Sequence, residues 1–153
     1  MLLYLVQHGQ AKAETEDPER PLTDQGVDDV TRMARHAVER LGVRPARIVH
    51  SGKTRARQTA EIWCQLLGDD AEEVDALAPN DDPRAWAERL AGATDDDLML
   101  VGHLPHLARL AALVLTGDTD HPPIKFQPGG LVALESADAG WQVALVLPPN
   151  ALP

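Results

Sequence analysis

Short apolar runs that end beside a histidine, separated by segments with helical spacing, constrain this chain more than anything else in it. Leu2 to Val6 leads into Gln7-His8-Gly9, Ile48-Val49 into His50-Ser51-Gly52, and Leu98 to Val101 into Gly102-His103. Such runs, bounded by glycine, read as buried strands. Between them, Val27, Val30, Met33, Ala34, Ala37, Val38 and Leu41 repeat at helical spacing, with Thr23 placed as N-cap and Gly42 as the stop. Residues 53–67 put Ala56, Ala60, Trp63 and Leu67 on one face before Gly68. Asp82-Pro83 opens a helix to about Ala91, and residues 104–116 form another with Pro105 in its first turn. Val74 to Leu77 reads as a third strand or extended chain. Leu131 to Leu134 and Val143 to Leu147 read as a hairpin around Asp138-Ala139-Gly140. Pro148, Pro149 and Pro153 mark a loose tail, so the expected organisation is one domain over 1–147 and a Pro-rich tail over 148–153. Strands alternating with helices predict a single α/β domain with a mainly parallel central sheet flanked by helices.

In open sheets of this kind, ligands bind outside the carboxyl ends of the strands. Three of the chain's 6 histidines fall at such ends, which is a specific placement. The charge narrows what could bind there. The 153 residues carry a formal net charge of -10. That balance disfavours nucleic acid, which needs clustered Lys and Arg to release counterions, and it disfavours an anionic membrane surface. Tyr4, Trp63, Trp86, Phe126 and Trp141 are the only aromatics of these types, too few for base stacking. No stretch approaches the ~20 apolar residues of a membrane span, and the opening run is too short for a signal segment. Cys64 stands alone, so neither an internal disulfide nor a cysteine-rich zinc site is expected. The cytoplasm is the expected location.

One stretch reverses the charge. Residues 44–57 hold Arg44, Arg47, Lys53, Arg55 and Arg57 and no acid. An acidic protein with one basic island suggests a confined anion site. The helix expected from residue 53 would aim its free N–H groups at the same place. Arginine adds a planar fork matched to phosphate oxygens. His8, His50 and His103 beside Lys53 and Arg55 therefore point to phosphoryl chemistry, with an imidazole as covalent nucleophile and cations around the transferring group.

These residues fall in motifs. Gln7-His8-Gly9 stands where an Arg-His-Gly signature would end the first strand. Arg20-Pro21-Leu22-Thr23 is followed by Gly26, Ser51 to Thr59 has the form Ser-x-x-x-Arg-Ala-x-Gln-Thr, and Gly102-His103-Leu104-Pro105 follows a strand. In all four, the chain resembles the histidine phosphatase superfamily, and within it the small SixA-like phosphohistidine phosphatases. The resemblance implies a three-layer, phosphoglycerate-mutase-like fold with no metal or organic cofactor. It implies that His8 becomes phosphorylated and that Arg20, Arg55 and His103 bind the phosphoryl group. Arg20 enters through the resemblance alone.

Gln7 departs from the pattern, since an amide brings neither charge nor a bidentate fork. Losing one such contact commonly costs ~2.7–4 kcal/mol in a transition state. Lys53 and His50 are the candidates to replace it. A general acid would have to come from Glu73, Asp75, Asp81 or Asp82, none of which lies in a motif. A phosphohistidine substrate leaves as imidazole and can dispense with one, which favours protein phosphohistidine over a small phosphomonoester. Two further readings stand beside this one. The first is a catalytically weakened module that binds phosphate or a phosphoprotein. The second is a metal-dependent hydrolase using His8, His50, His103 and His106, with His106 otherwise placed on the helix surface or as a supporting residue.

Overall fold

A computed structural model of the chain describes residues 1–93 and 95–153. In chain order it contains β1 (Leu2–Gln7), α1 (Asp24–Arg40), β2 (Arg47–His50), α2 (Thr54–Leu67), β3 (Ala71–Glu73), α3 (Arg84–Ala91), β4 (Leu98–Gly102), α4 (His106–Thr116), β5 (Leu131–Ala137) and β6 (Gly140–Leu147). One six-stranded sheet runs β3-β2-β4-β1-β5-β6. β1, β2, β3 and β4 pair in parallel, and β5 is antiparallel to both β1 and β6. This is the expected α/β domain, with β5 and β6 as the expected hairpin.

The central strands have no face left for water, which is why their runs are apolar without alternation. Tyr4, Val6, Ile48, Met99 and Val101 pack on one side with Met33, Ala37 and Trp63 of α1 and α2. Leu3, Leu5, Val49, Leu98 and Leu100 pack on the other with Trp86, Leu90, Leu107 and Leu110 of α3 and α4. Among the described residues, no helix is long and apolar enough to cross a membrane.

Three boundaries differ from expectation. The third strand is Ala71–Glu73, not 74–77. It is an edge strand whose outer residues face water, so its backbone pairs with β2 without needing an apolar run. Val74 and Leu77 instead leave the sheet and plug the α3/α4 side of the core. Helix α4 starts at His106, with Pro105 as its N-cap and the first bonds running from Leu107 N to His103 O and from Arg109 N to Pro105 O. The tail is ordered as a 3-10 turn over Pro149–Ala151, with Pro149 buried and Leu152 packed against the α1 side of the core.

The start of α1 is tied to the segment that leaves β1. Thr23 accepts the Gly26 N–H through its side chain at 3.0 Å, and Thr23 N donates to Gln10 O at 2.9 Å. A Cβ on Gly26 would overlap the Gln10 backbone carbonyl, so only glycine lets the helix approach this closely. Gly26→Ala is expected to destabilise the fold by about 1–3 kcal/mol, the usual cost of overpacking. Urea denaturation measures it, and an unchanged midpoint would show that the 8–10 segment yields without cost.

Candidate active site

Strand register assembles the site. Gln7 lies opposite Gly102 on β4, and His50 lies opposite Val101. The carboxyl ends of β1, β2 and β4 are therefore level, and the residues just beyond them meet. His8 N donates to Gly102 O at 3.0 Å. The rings of His8 and His103 sit 5.1 Å apart, tilted at 53°.

Each ring is held by one nitrogen. His8 Nδ1 lies 2.7 Å from Gly9 O, so it donates to that carbonyl and leaves Nε2 with a lone pair. His103 is 1% exposed. Its Nε2 lies 2.6 Å from Ser51 Oγ, and its Nδ1 is buried without a partner. Burial pushes the His8 imidazole down to about 4, with Arg55 and Arg20 adding to the shift and the Gly9 carbonyl opposing it. Burial likewise pushes His103 down to about 3, helped by His8, Arg55 and Lys53. Both imidazoles are neutral near pH 7.

The guanidiniums arrive by different routes. Arg55 lies in the first turn of α2, and burial followed by the nearby Arg20 lowers its pKa. Its Nε is buried without a partner. Arg20 is carried by the 8–23 loop, which folds back through Lys12 N to Pro21 O at 2.8 Å and an Ala11–Leu22 bridge. Its backbone is left-handed, with φ 48°, and its Nε donates to Lys12 O at 3.0 Å. A non-glycine residue held there costs of order 1–3 kcal/mol and marks an over-determined loop. Among the described residues, no ion pair involves Arg20, Lys53 or Arg55. No carboxylate is among the charged groups that shift His8, Arg55 or His103. Lys53 is exposed on the rim. Gln7 is 8% exposed, with its Oε1 buried and unpartnered. Neutral imidazoles beside two guanidiniums with no counter-charge form a site for a compact anion.

His50 does not join this group. It lies on the α2 side of β2, accepts the Gly52 N–H at Nδ1 (3.0 Å), and lines a separate cavity of about 660 Å³ with Arg57, Glu61, Cys64 and Glu73. His106 is 0% exposed and not on the helix surface, its ring buried against the Ala76 backbone. His8, His50, His103 and His106 thus do not converge, and among the described residues no group of three or more His, Cys, Asp or Glu is placed to hold a metal. Three of the four expected acids are held by other partners, and the fourth, Glu73, lies at the end of β3 beside the Ser51–Lys53 turn. Asp75 pairs with Arg89 at 2.7 Å, Asp81 accepts Ala78 N at 2.9 Å, Asp82 accepts Arg84 N at 3.0 Å, and Glu73 lies against Gly52.

Sequence reasoning missed three supporting residues. Ser51 holds His103, Gln58 Oε1 accepts Leu22 N at 2.8 Å, and Thr59 Oγ accepts Gly9 N at 3.0 Å. The Ser51–Thr59 motif thus clamps both the Arg20 loop and the His8 loop. Its spacing was the available signal, since Arg55, Gln58 and Thr59 share one face of a helix.

The family model for the histidine phosphatase superfamily (branch 1) matches residues 3–79. An uncharacterized protein of Picosynechococcus sp. is 36% identical over 149 residues, covering 93% of this chain and 89% of that protein. A structure of the protein histidine phosphatase SixA complexed with tungstate covers 100% of both chains with a TM-score of 0.85 at 24% identity. A candidate phosphohistidine phosphatase SixA from Agrobacterium tumefaciens has a TM-score of 0.79 at 28% identity, over 97% of each chain.

The two lowered imidazoles fix a pH dependence. In the unfolded chain each would protonate near 6.5, whereas folded His8 holds out to about 4 and folded His103 to about 3. Between those limits the unfolded state binds more protons, so stability falls as pH drops through the window. Each histidine contributes a slope of up to about 1.4 kcal/mol per pH unit. Denaturation midpoints from pH 7 to 4 should decline less steeply in His8→Asn than in wild type. Parallel curves would mean that His8 titrates normally.

Proposed function

The chain belongs to the histidine phosphatase superfamily, and on that premise we propose that it is a phosphohistidine phosphatase acting on a phosphorylated protein, in cytoplasmic signalling. One observation carries the reading: His8 is neutral, tethered at Nδ1 and open at Nε2, beside Arg20 and Arg55, while no carboxylate acts on it. In the proposed reaction, Nε2 attacks phosphorus, the P–N bond of the substrate breaks, and the phosphoryl group passes to His8. Water then attacks phospho-His8 and releases inorganic phosphate. Arg20, Arg55 and His103 hold the phosphoryl oxygens, where fixed donors stabilise the charge of the transition state.

The missing acid favours a particular leaving group. An alkoxide must be handed a proton as it departs. A phosphorylated imidazole takes a proton from solvent on its distal nitrogen and leaves neutral. A site without a carboxylate beside the nucleophile suits the second. Gln7 withholds one cation, and Lys53, whose charge already reaches His103, supplies it from the rim.

Single-turnover reaction with a phosphohistidine protein and with an alkyl phosphomonoester tests this. The protein substrate should yield an acid-labile phosphoenzyme that disappears in His8→Ala, with turnover falling at least ~10³-fold, as for other covalent nucleophiles. Equal rates on the alkyl ester would move the function to a small-molecule phosphomonoesterase. Phosphate binding without any phosphoenzyme would leave a binding module. Lys53→Ala should weaken inorganic phosphate binding, and Gln7→Arg should keep or strengthen it. A large loss in Gln7→Arg would mean that the pocket is built around the amide.

A further inference from the structure

His103 has two nitrogens in different surroundings. Nε2 is 2.6 Å from Ser51 Oγ, and Nδ1 is buried with no protein partner. A buried polar atom left unpaired costs about 1–3 kcal/mol, so a bound group is expected to satisfy it. The ring is neutral, so only one of its nitrogens carries a proton. Which one decides whether Nδ1 presents an N–H or a lone pair. A lone pair would repel a phosphoryl oxygen, while an N–H would bind it.

Ser51 can make that choice. Lys53 N donates to Ser51 Oγ over 3.4 Å, which occupies an acceptor position on the hydroxyl and leaves its proton free to point at His103. We propose that Ser51 is a positioning residue that donates its hydroxyl proton to His103 Nε2 and so holds His103 in the Nδ1–H tautomer, ready to bind a phosphoryl oxygen. Ser51 itself touches no substrate in this scheme. The β2 end supplies the hydroxyl and the β4 end supplies the ring. His103 and Arg55, which also carries an unpartnered buried Nε, then form two donors for one anion. The identity of that anion rests on the phosphatase reading, but the tautomer does not.

The test uses the full chain labelled with ¹⁵N-histidine, with the His103 signals identified by their loss in His103→Asn. Two-bond ¹H–¹⁵N spectra separate the two neutral tautomers. Wild type should show His103 protonated at Nδ1 and accepting at Nε2. Ser51→Ala should release the ring to the other tautomer or a mixture, and Ser51→Thr should restore it. Titration with inorganic phosphate should show about tenfold weaker binding in Ser51→Ala, the scale of one hydrogen bond to a charged group. It should return to within about threefold in Ser51→Thr. An Nε2–H tautomer in the wild type overturns the proposal, and so does an unchanged tautomer in a folded Ser51→Ala. If Ser51→Ala fails to fold, the wild-type spectrum still decides. Absence of a phosphoenzyme on His8 would count against the function and leave the tautomer result as it stands.

Discussion

The register between β1 and β4 is the constraint on which the site depends. Gln7 faces Gly102, and the next backbone N–H, from His8, is spent on the Gly102 carbonyl at 3.0 Å. A slip of one residue would turn every side chain of β1 to the opposite face. Both faces of that strand are packed, with Leu3 and Leu5 on one side and Tyr4 and Val6 on the other. The core therefore sets where the strand ends, and the end of the strand sets where His8 stands. The loop before β5 closes the arrangement, with Gly129 N donating to the carbonyls of Gln7 and His8. Two imidazoles from residues 95 positions apart meet because hydrophobic packing elsewhere leaves them no alternative.

Packing also fixes their charge. Burial is the largest influence on His8, His103 and Arg55 alike, and it opposes the charged form of each. The histidines give up their protons and Arg55 does not, so the site keeps guanidinium charge beside neutral rings. Half-buried charge that is not ion-paired among the described residues is costly, and it is kept in place by the surrounding structure. Thr59 and Gln58 provide that enforcement, one fastening the backbone after His8 and the other fastening the loop that carries Arg20. In the proposed reaction, the unpartnered atoms Arg55 Nε and His103 Nδ1 are the ones a bound anion would satisfy.

How legible this was in the sequence varied with the physics of each part. Apolar runs are a local signal, so the strand ends that carry His8, His50 and His103 could be read directly. Which cavity a strand-end side chain enters is not a local signal: Val6, Ile48 and Val101 all pack on the α1/α2 side two residues before His8, His50 and His103, yet His50 turns to accept the Gly52 N–H and lines a cavity with Arg57, Glu61 and Glu73. The edge strand Ala71–Glu73 is held by its backbone ladder to β2 and an exposed Arg47–Glu72 ion pair, with only Ala71 against the core, so it left almost no hydrophobic trace. Arg20 reaches the site through a loop whose shape is held by distant backbone bonds and one left-handed residue, so no local pattern revealed it, and only the four-residue motif around it did. His106 opens α4 and is fully buried against the Ala76 backbone, a neighbour distant in the chain that no local pattern reveals.

Gln7 takes its meaning from this balance. Arg20 already acts against the charge on Arg55, and burial acts against it further. A third guanidinium on the Gln7 side chain, itself 8% exposed, would add another desolvated cation beside Arg20 and Arg55, which pair with no carboxylate among the described residues. Lys53 contributes from the solvent-exposed rim, where its charge is hydrated and costs little to hold, yet reaches His103. Charge supplied from the rim is weaker and more easily screened by salt than charge supplied from within. That exchange is tolerable when the leaving group needs little help, as a phosphorylated imidazole does, and it is damaging when an alkoxide must be expelled. The amide at position 7 and the lack of a carboxylate among the groups that shift His8 both fit the phosphorylated imidazole of the proposed reaction.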